Sequence, residues 1–280
     1  MRPEIFGYHE ARALLRDVIE FEKVANPKFS LRLLANKSEI ATGFLPMYLS
    51  GKRKITLETA QKLTKNLPLS EKERGFFLLL VQLDNAPADE SRVDILGQLQ
   101  KLDIYKETNV KEFEVHRYLK SWFCVAIREL SLLPDFRPDP VWIKKRLRTK
   151  IPLSEIKSAI EFLNEHNFIL QHEGKYFQNP EKNLECVDGV FKISLSAFHR
   201  QMLDLAGQSI DQLNGKKRIV IGNTIPIRFE DFEQAKTILN NALDEIQKLQ
   251  AANGNGDHVY HFALAGFPLT NEIIEEEDPS

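Results

Sequence analysis

Cysteine is nearly absent. Cys124 and Cys186 are the two in 280 residues, far apart and among apolar neighbours. That excludes a disulfide scaffold and points to buried free thiols in a reducing cytosol. The 13 glycines are scattered and form neither GxGxxG nor GxxxxGK[ST], so no phosphate-cradling loop is expected. There is no GxSxG elbow, and Cys124 lies in an apolar helical run where a thiol is inert. The seven histidines lack metal-ligand spacing. His258 and His261, three apart on an expected strand, point to opposite faces, and His166 and His172 flank an expected turn. No enzyme, metal or cofactor is expected. No apolar run approaches the roughly 20 residues that cross a bilayer. The N-terminus, MRPEIFGYHEARALLRD, is charged throughout and lacks the apolar core of a signal peptide. The expectation is a cytoplasmic chain with no membrane partner.

Charge of one sign is also not in excess. The net charge of −2 excludes a protein that coats nucleic acid indiscriminately. The distribution is uneven. Residues 1–85 hold 14 Lys+Arg against 10 Asp+Glu, whereas residues 86–280 hold 24 against 30. A mildly basic head precedes an acidic body.

The head is where the pattern is densest. Ala11, Leu14, Leu15, Val18 and Ile19 recur at helical spacing within residues 8–21, and Asn26-Pro27 ends the run. Ser30 is placed to cap a short helix through Ala35, with Leu31, Leu34 and Ala35 inward. Thr42 is a candidate cap for the next helix, in which Phe44, Leu45, Tyr48 and Leu49 follow. Gly51 suits a left-handed stop, and Lys52, Arg53 and Lys54 lie just beyond it. A third short helix is expected over 56–67. Ser70 and Glu73 form a capping box for a fourth that contains Phe76, Phe77 and Leu80.

The two short helices on either side of Glu39 have the layout of a helix-turn-helix, which lays its second helix in the DNA major groove. On this reading Thr42, Gly43 and Met47 face the groove, while Lys37, Lys52, Arg53 and Lys54 grip phosphate. Two features oppose it. Glu39 stands where such turns usually carry Gly, and Pro46 falls in the first turn of the recognition helix, where it is tolerated. The exposed positions also offer no Arg, Asn or Gln for bidentate base contacts. The alternative is a protein-interaction adaptor that kept the fold and lost the DNA.

Downstream, residues 87–103 read as a linker helix and residues 110–133 as one long helix, apolar over a wide arc. Tyr118, Trp122 and Phe123 in it read as core rather than as a base-stacking platform. After Pro138-Asp139-Pro140 the pattern is helix, turn, helix and hairpin, the order of a winged helix. Lys144, Lys145, Arg146, Arg148, Lys150 and Lys157 make this region basic. They are either a second DNA contact or a solvated face on a fold used for packing or dimerisation. Towards the C-terminus, helices at 196–213 and 229–250 alternate with strands at 218–221, 223–227 and 258–265 and a turn at 253–256. The acidic tail 271–280 is expected to be disordered. A ligand-sensing pocket in this last part is a third option.

The predicted architecture is mainly α, becoming α+β at the C-terminus. It comprises a repressor-like five-helix head (1–85), a linker helix plus winged-helix-like domain (86–190) and a small strand–helix–strand unit (191–270). The partners this implies are double-stranded DNA, a second copy in a homodimer, or another protein.

The chain resembles a family of uncharacterised bacterial proteins with a repressor-like head and a long domain of unknown function. The resemblance rests on residues 31–37, the LSGKR at 49–53, KSWFCVAIREL at 120–130 and DPVWI at 139–143. It continues with KRL at 145–147, HRQML at 199–203 and FPLT at 267–270. These motifs are fold signatures, and what they imply is a transcription regulator.

Overall fold

The computed structural model describes residues 1–271 apart from 88, 183, 185, 187, 254 and 255. Most of the acidic tail and half of the 253–256 turn therefore lie outside the described residues. The chain is mainly α, with one two-stranded antiparallel sheet among the described residues. It divides into two compact units: residues 1–122 with 180–200, and residues 123–179 with 201–280.

The first unit opens with α1 (Ala11–Ala25), whose apolar stripe is fully buried. Its N-terminus lacks a cap from its own side chains. The Asp84 carboxylate instead accepts from the Ala11 amide at 3.2 Å. Next come α2 (Leu31–Lys37), α3 (Phe44–Leu49), α4 (Leu57–Thr64) and α5 (Glu71–Asn85). The Ser30 and Ser70 caps fall as the sequence predicts, and Thr56 adds a third. Ser30, Thr56 and Ser70 accept from amides three residues on, and Glu73 returns a bond to the Ser70 amide at 2.7 Å. Arg2 bonds both oxygens of Glu73, which fixes the N-terminal segment to this cap.

The residues expected to form a linker helix are two core helices, α6 (Asp89–Leu99) and α7 (Asp103–Thr108). Leu96, Leu99 and Tyr105 are buried in the same cluster as Leu45, Phe76 and Leu80. Their apolar positions need a partner, and the head offers one.

The expected long helix is α8 (Val110–Lys120) followed by α9 (Trp122–Leu130), broken at Ser121, whose backbone is extended. The wide apolar arc is the sum of two narrower stripes. Val115, Tyr118 and Leu119 are buried in the first unit, Phe123, Ile127 and Leu130 in the second. Tyr118 and Phe123 are core residues as predicted.

The second unit continues with α10 (Pro140–Arg146) and α11 (Leu153–Glu165). Asp139 caps α10 with Pro140 in its first turn. Strands β1 (Ile169–His172) and β2 (Lys175–Gln178) pair with His172 opposite Lys175. Glu173 and Gly174 between them both have positive φ, as a two-residue hairpin loop of this twist requires. Two long helices complete the chain, α12 (Asp188–Gln212) and α13 (Phe232–Asn253).

The strands expected at 218–221, 223–227 and 258–265 are not formed: the sheet consists of β1 and β2, at 169–178. Alternating β-branched residues give a segment strand propensity, but a strand exists only against a partner backbone. The apolar stripe of α13 is covered only in part: Ile238, Leu239 and Ala242 are exposed, while Phe232, Ala235 and Ile246 are half-buried.

Candidate nucleic-acid interface

The geometry of the head around α3 begins with a helix ending. The α2 helix closes at Ser38, and the chain then turns through Glu39 at φ 54°. The Glu39 amide donates to the Asn36 carbonyl at 3.2 Å and the Ile40 amide to Ala35 at 3.1 Å. This crossed pair of bonds, with a left-handed residue between, is the Schellman ending. The same ending closes α3 at Gly51 (φ 82°) and α11 at Asn167 (φ 56°). Glycine and asparagine adopt that conformation readily, whereas glutamate does so at a cost. Asn66 pins the turn from α4 by donating to the Lys37 carbonyl at 3.1 Å and to the buried Ser38 hydroxyl at 3.2 Å.

The α3 helix starts at Phe44 with Gly43 in the cap position and no capping side chain. Thr42 is therefore not the cap that the sequence predicts. The Phe44 amide bonds the Ala41 carbonyl, so Thr42 and Gly43 form a turn outside the helix. Pro46 is the third helical residue, where it lacks no intrahelical bond, and the helix carries it without a break. Phe44, Leu45 and Tyr48 are buried inward. Thr42, Gly43, Pro46, Met47 and Ser50 all face solvent.

The cations named from sequence, Lys37, Lys52, Arg53 and Lys54, are all exposed. The Arg53 guanidinium lies 5.3 Å from the centroid of the Phe44 ring, which holds it beside the start of α3. Two more cations reach the helix from α1 and were missed in the sequence. Arg16 donates to the Leu49 carbonyl at 3.3 Å. Arg12 lies over the Tyr48 ring, and a Cβ at Gly51 would stand 3.0 Å from its Nη1. Their four-residue spacing on the polar side of α1 was the available signal. Burial raises the Tyr48 phenol well above its ordinary value, with the Asp84 carboxylate adding to the effect, so the ring stays neutral beneath Arg12. Glu39 is the exposed carboxylate of the turn, and its charge acts on Lys62, which itself pairs with Glu58 at 2.9 Å. Beyond Lys54 an open apolar groove of about 490 Å³ runs between the starts of α4 and α6, lined by Ile55, Leu57, Val81 and Ile95.

The second basic region divides in two. Arg146 donates to the Asp257 carbonyl at 2.7 Å and lies over Trp142. Arg148 donates to the Leu205 carbonyl at 2.9 Å, and Lys157 faces Glu161 at 3.8 Å. Lys144, Lys145 and Lys150 are exposed. The charged outward positions of α11 are mostly acidic: Glu155, Glu161 and Glu165 are exposed alongside Lys157. Among the described residues, no group of three or more His, Cys, Asp or Glu is placed to hold a metal ion. No described helix is long and apolar enough to cross a membrane.

A family model described as a domain of unknown function, DUF4423, matches residues 103–269, more than half of the chain. The chain belongs to the DUF4423 family. No curated protein and no solved structure matches it. The DUF4423 match takes in α7 to α13 and the hairpin, and so includes the second basic region. The α2–α3 region and its cations precede it.

Proposed function

We propose that this chain is a DNA-binding transcriptional regulator whose head docks on duplex DNA. The docking element is a helix-turn-helix made of α2, the turn at residues 38–43, and α3. One observation carries the reading. The solvent side of α3 is uncharged, exposed Lys52, Arg53 and Lys54 follow its C-terminal stop and Lys37 ends α2, while Arg53 lies against Phe44 and Arg12 and Arg16 reach Tyr48 and the Leu49 carbonyl. Such a surface fits a groove between two phosphate strands: the cations meet the phosphates and the helix meets the base edges. The left-handed turn residue supports it too, because the sharp angle between the paired helices needs that conformation.

The chemistry sets the mode of recognition. Thr42 offers a hydroxyl and Met47 an apolar contact, and no outward side chain of α3 makes a bidentate pair with a base. Affinity then comes mainly from phosphate contacts, and discrimination between sequences is modest. The winged-helix-like region adds little on this account, since α11 presents three carboxylates and two of its nearby arginines are bound to carbonyls.

The test is a mobility shift with random duplex pools at two salt concentrations. Replacing Lys52, Arg53 and Lys54 by Ala weakens binding to all sequences alike. It also flattens the slope of log K against log salt by about 2–3, near 0.9 for each phosphate that is no longer neutralised. Unchanged affinity in the triple variant rules out the phosphate role and leaves the adaptor reading. That reading draws on the exposed Glu39 and the missing base readers.

A further inference from the structure

From residue 210 to residue 271 no described side chain is buried. This stretch is nonetheless rich in large apolar residues. Ile219 is 68% exposed, Ile221 84%, Phe229 83%, Phe267 70% and Leu269 72%. A chain segment with this composition normally forms a core, and here it has none of its own.

We propose that the segment 218–228 and the apolar side of α13 form an interface with a second copy of this chain, in which 218–225 pairs as a strand across a two-fold axis and ends before Pro226, which has no N–H to donate. Four observations converge on that occupant. The segment is rich in β-branched residues, with Ile219, Val220, Ile221, Ile225 and Ile227. Its first and last residues, Arg218 and Arg228, already have extended backbone, yet it belongs to no ladder among the described residues. Neighbouring positions of opposite parity are both exposed, so the segment is suited to cover on two faces rather than one. The exposed large apolar residues of that interface, from Ile219 to Phe229 with Ile238, Leu239 and Leu249, present on the order of 1,000 Å², against about 800 Å² per partner in a stable complex.

Charge selects a copy of the chain over a lipid surface. Residues 213–271 hold six Lys+Arg and six Asp+Glu, so the region is neutral and has no excess of cations for anionic lipid. Arg228 pairs with Asp231, Lys236 with Glu233 and Lys248 with Glu245 inside the chain. That leaves Lys216, Lys217 and Arg218 as the charges of the segment, and Glu230 and Asp244 as those of α13 and the turn before it. A two-fold axis places the basic end of one copy against the acidic helix of the other, which is the self-complementarity an isologous contact needs. The proposal does not depend on DNA binding and is tested without it.

The experiment uses the full chain. Sedimentation velocity from about 1 to 100 µM is expected to show a species of twice the chain mass. Ile221→Asp with Ile225→Asp is expected to leave a monomer of unchanged helical circular dichroism. Val220→Pro, which stays apolar but removes one ladder donor, is expected to weaken the dimer at least tenfold. Hydrogen exchange on the unaltered chain supplies a readout that no folding defect can confuse: amides 219–225 become protected as concentration rises. A chain monomeric throughout the range overturns the proposal. So does a dimer in which those amides exchange without protection, or one that survives both variants. Protection that does not vary with concentration also overturns it, since the cover then comes from within the chain.

Discussion

Glu39 is the position where backbone cost and charge can be separated by experiment. Its φ of 54° puts a side chain in the left-handed region, which disfavours a non-glycine residue by about 1–2 kcal/mol. Glycine removes that cost but loses about 0.5–1 kcal/mol through its freer unfolded chain. Glu39→Gly is therefore expected to stabilise the first unit by about 0.5–1 kcal/mol, and Glu39→Asn by a smaller amount in the same direction. At about 2–4 °C per kcal/mol, the melting transition of that unit rises by roughly 1–4 °C. Glu39→Ala keeps the backbone cost and is expected to change stability by less than about 0.5 kcal/mol. Affinity for duplex DNA sorts the variants differently. Removing a carboxylate about 10 Å from a phosphate is worth about 0.4 kcal/mol in water, close to a twofold gain, and Gly, Asn and Ala share it equally. Calorimetry and urea titration read the first effect, and mobility shift at low salt reads the second. Stabilisation by Glu39→Ala equal to that by Glu39→Gly, or destabilisation by Glu39→Gly, refutes a backbone cost at this turn.

Acid stability depends on the buried His116 and on Asp84, which is exposed as a residue but partly desolvated at its carboxylate. Burial, with Lys120 and Arg117 nearby, lowers His116 to about 4. The unfolded chain takes up that proton near 6.5, so stability present above 6.5 is lost as pH falls towards 4, by up to about 3 kcal/mol. Burial raises Asp84 to about 6, so its contribution runs the other way and is lost as pH rises from about 4 to 6. Water screens Asp84, so the His116 effect is the larger: urea midpoints should fall on acidification from pH 7 to pH 4.5 in the unaltered chain, rise in His116→Leu, and fall further in Asp84→Asn. Ser70→Ala removes one half of the capping box and is expected to cost about 1 kcal/mol by urea unfolding. Replacing Lys144, Lys145 and Lys150 together by Ala is expected to leave duplex affinity within about twofold, in contrast to the Lys52, Arg53 and Lys54 variant.

Local chemistry in the sequence determined most of the elements. The Ser30, Thr56, Ser70 and Asp139 caps, the glycine stop at Gly51 and the Glu173-Gly174 hairpin all depend on neighbours within a few residues. Short-range bonds of that kind are written in spacing and residue type. The exposure of Lys37, Lys52, Arg53 and Lys54 was legible for the same reason, because charged side chains at a helix end and in the short loop beyond a stop stay in water. What depended on distant partners was not legible. Periodicity could not tell that α6 and α7 complete the core of the head, that Ser121 divides one apolar arc between two units, or that Arg12 and Arg16 reach α3 from another helix. Nor could it tell that the β-branched-rich segment 218–227 pairs with no strand among the described residues. An apolar stripe or a strand-forming segment records only that a partner is needed, and tertiary structure alone decides which partner, if any, the chain itself supplies.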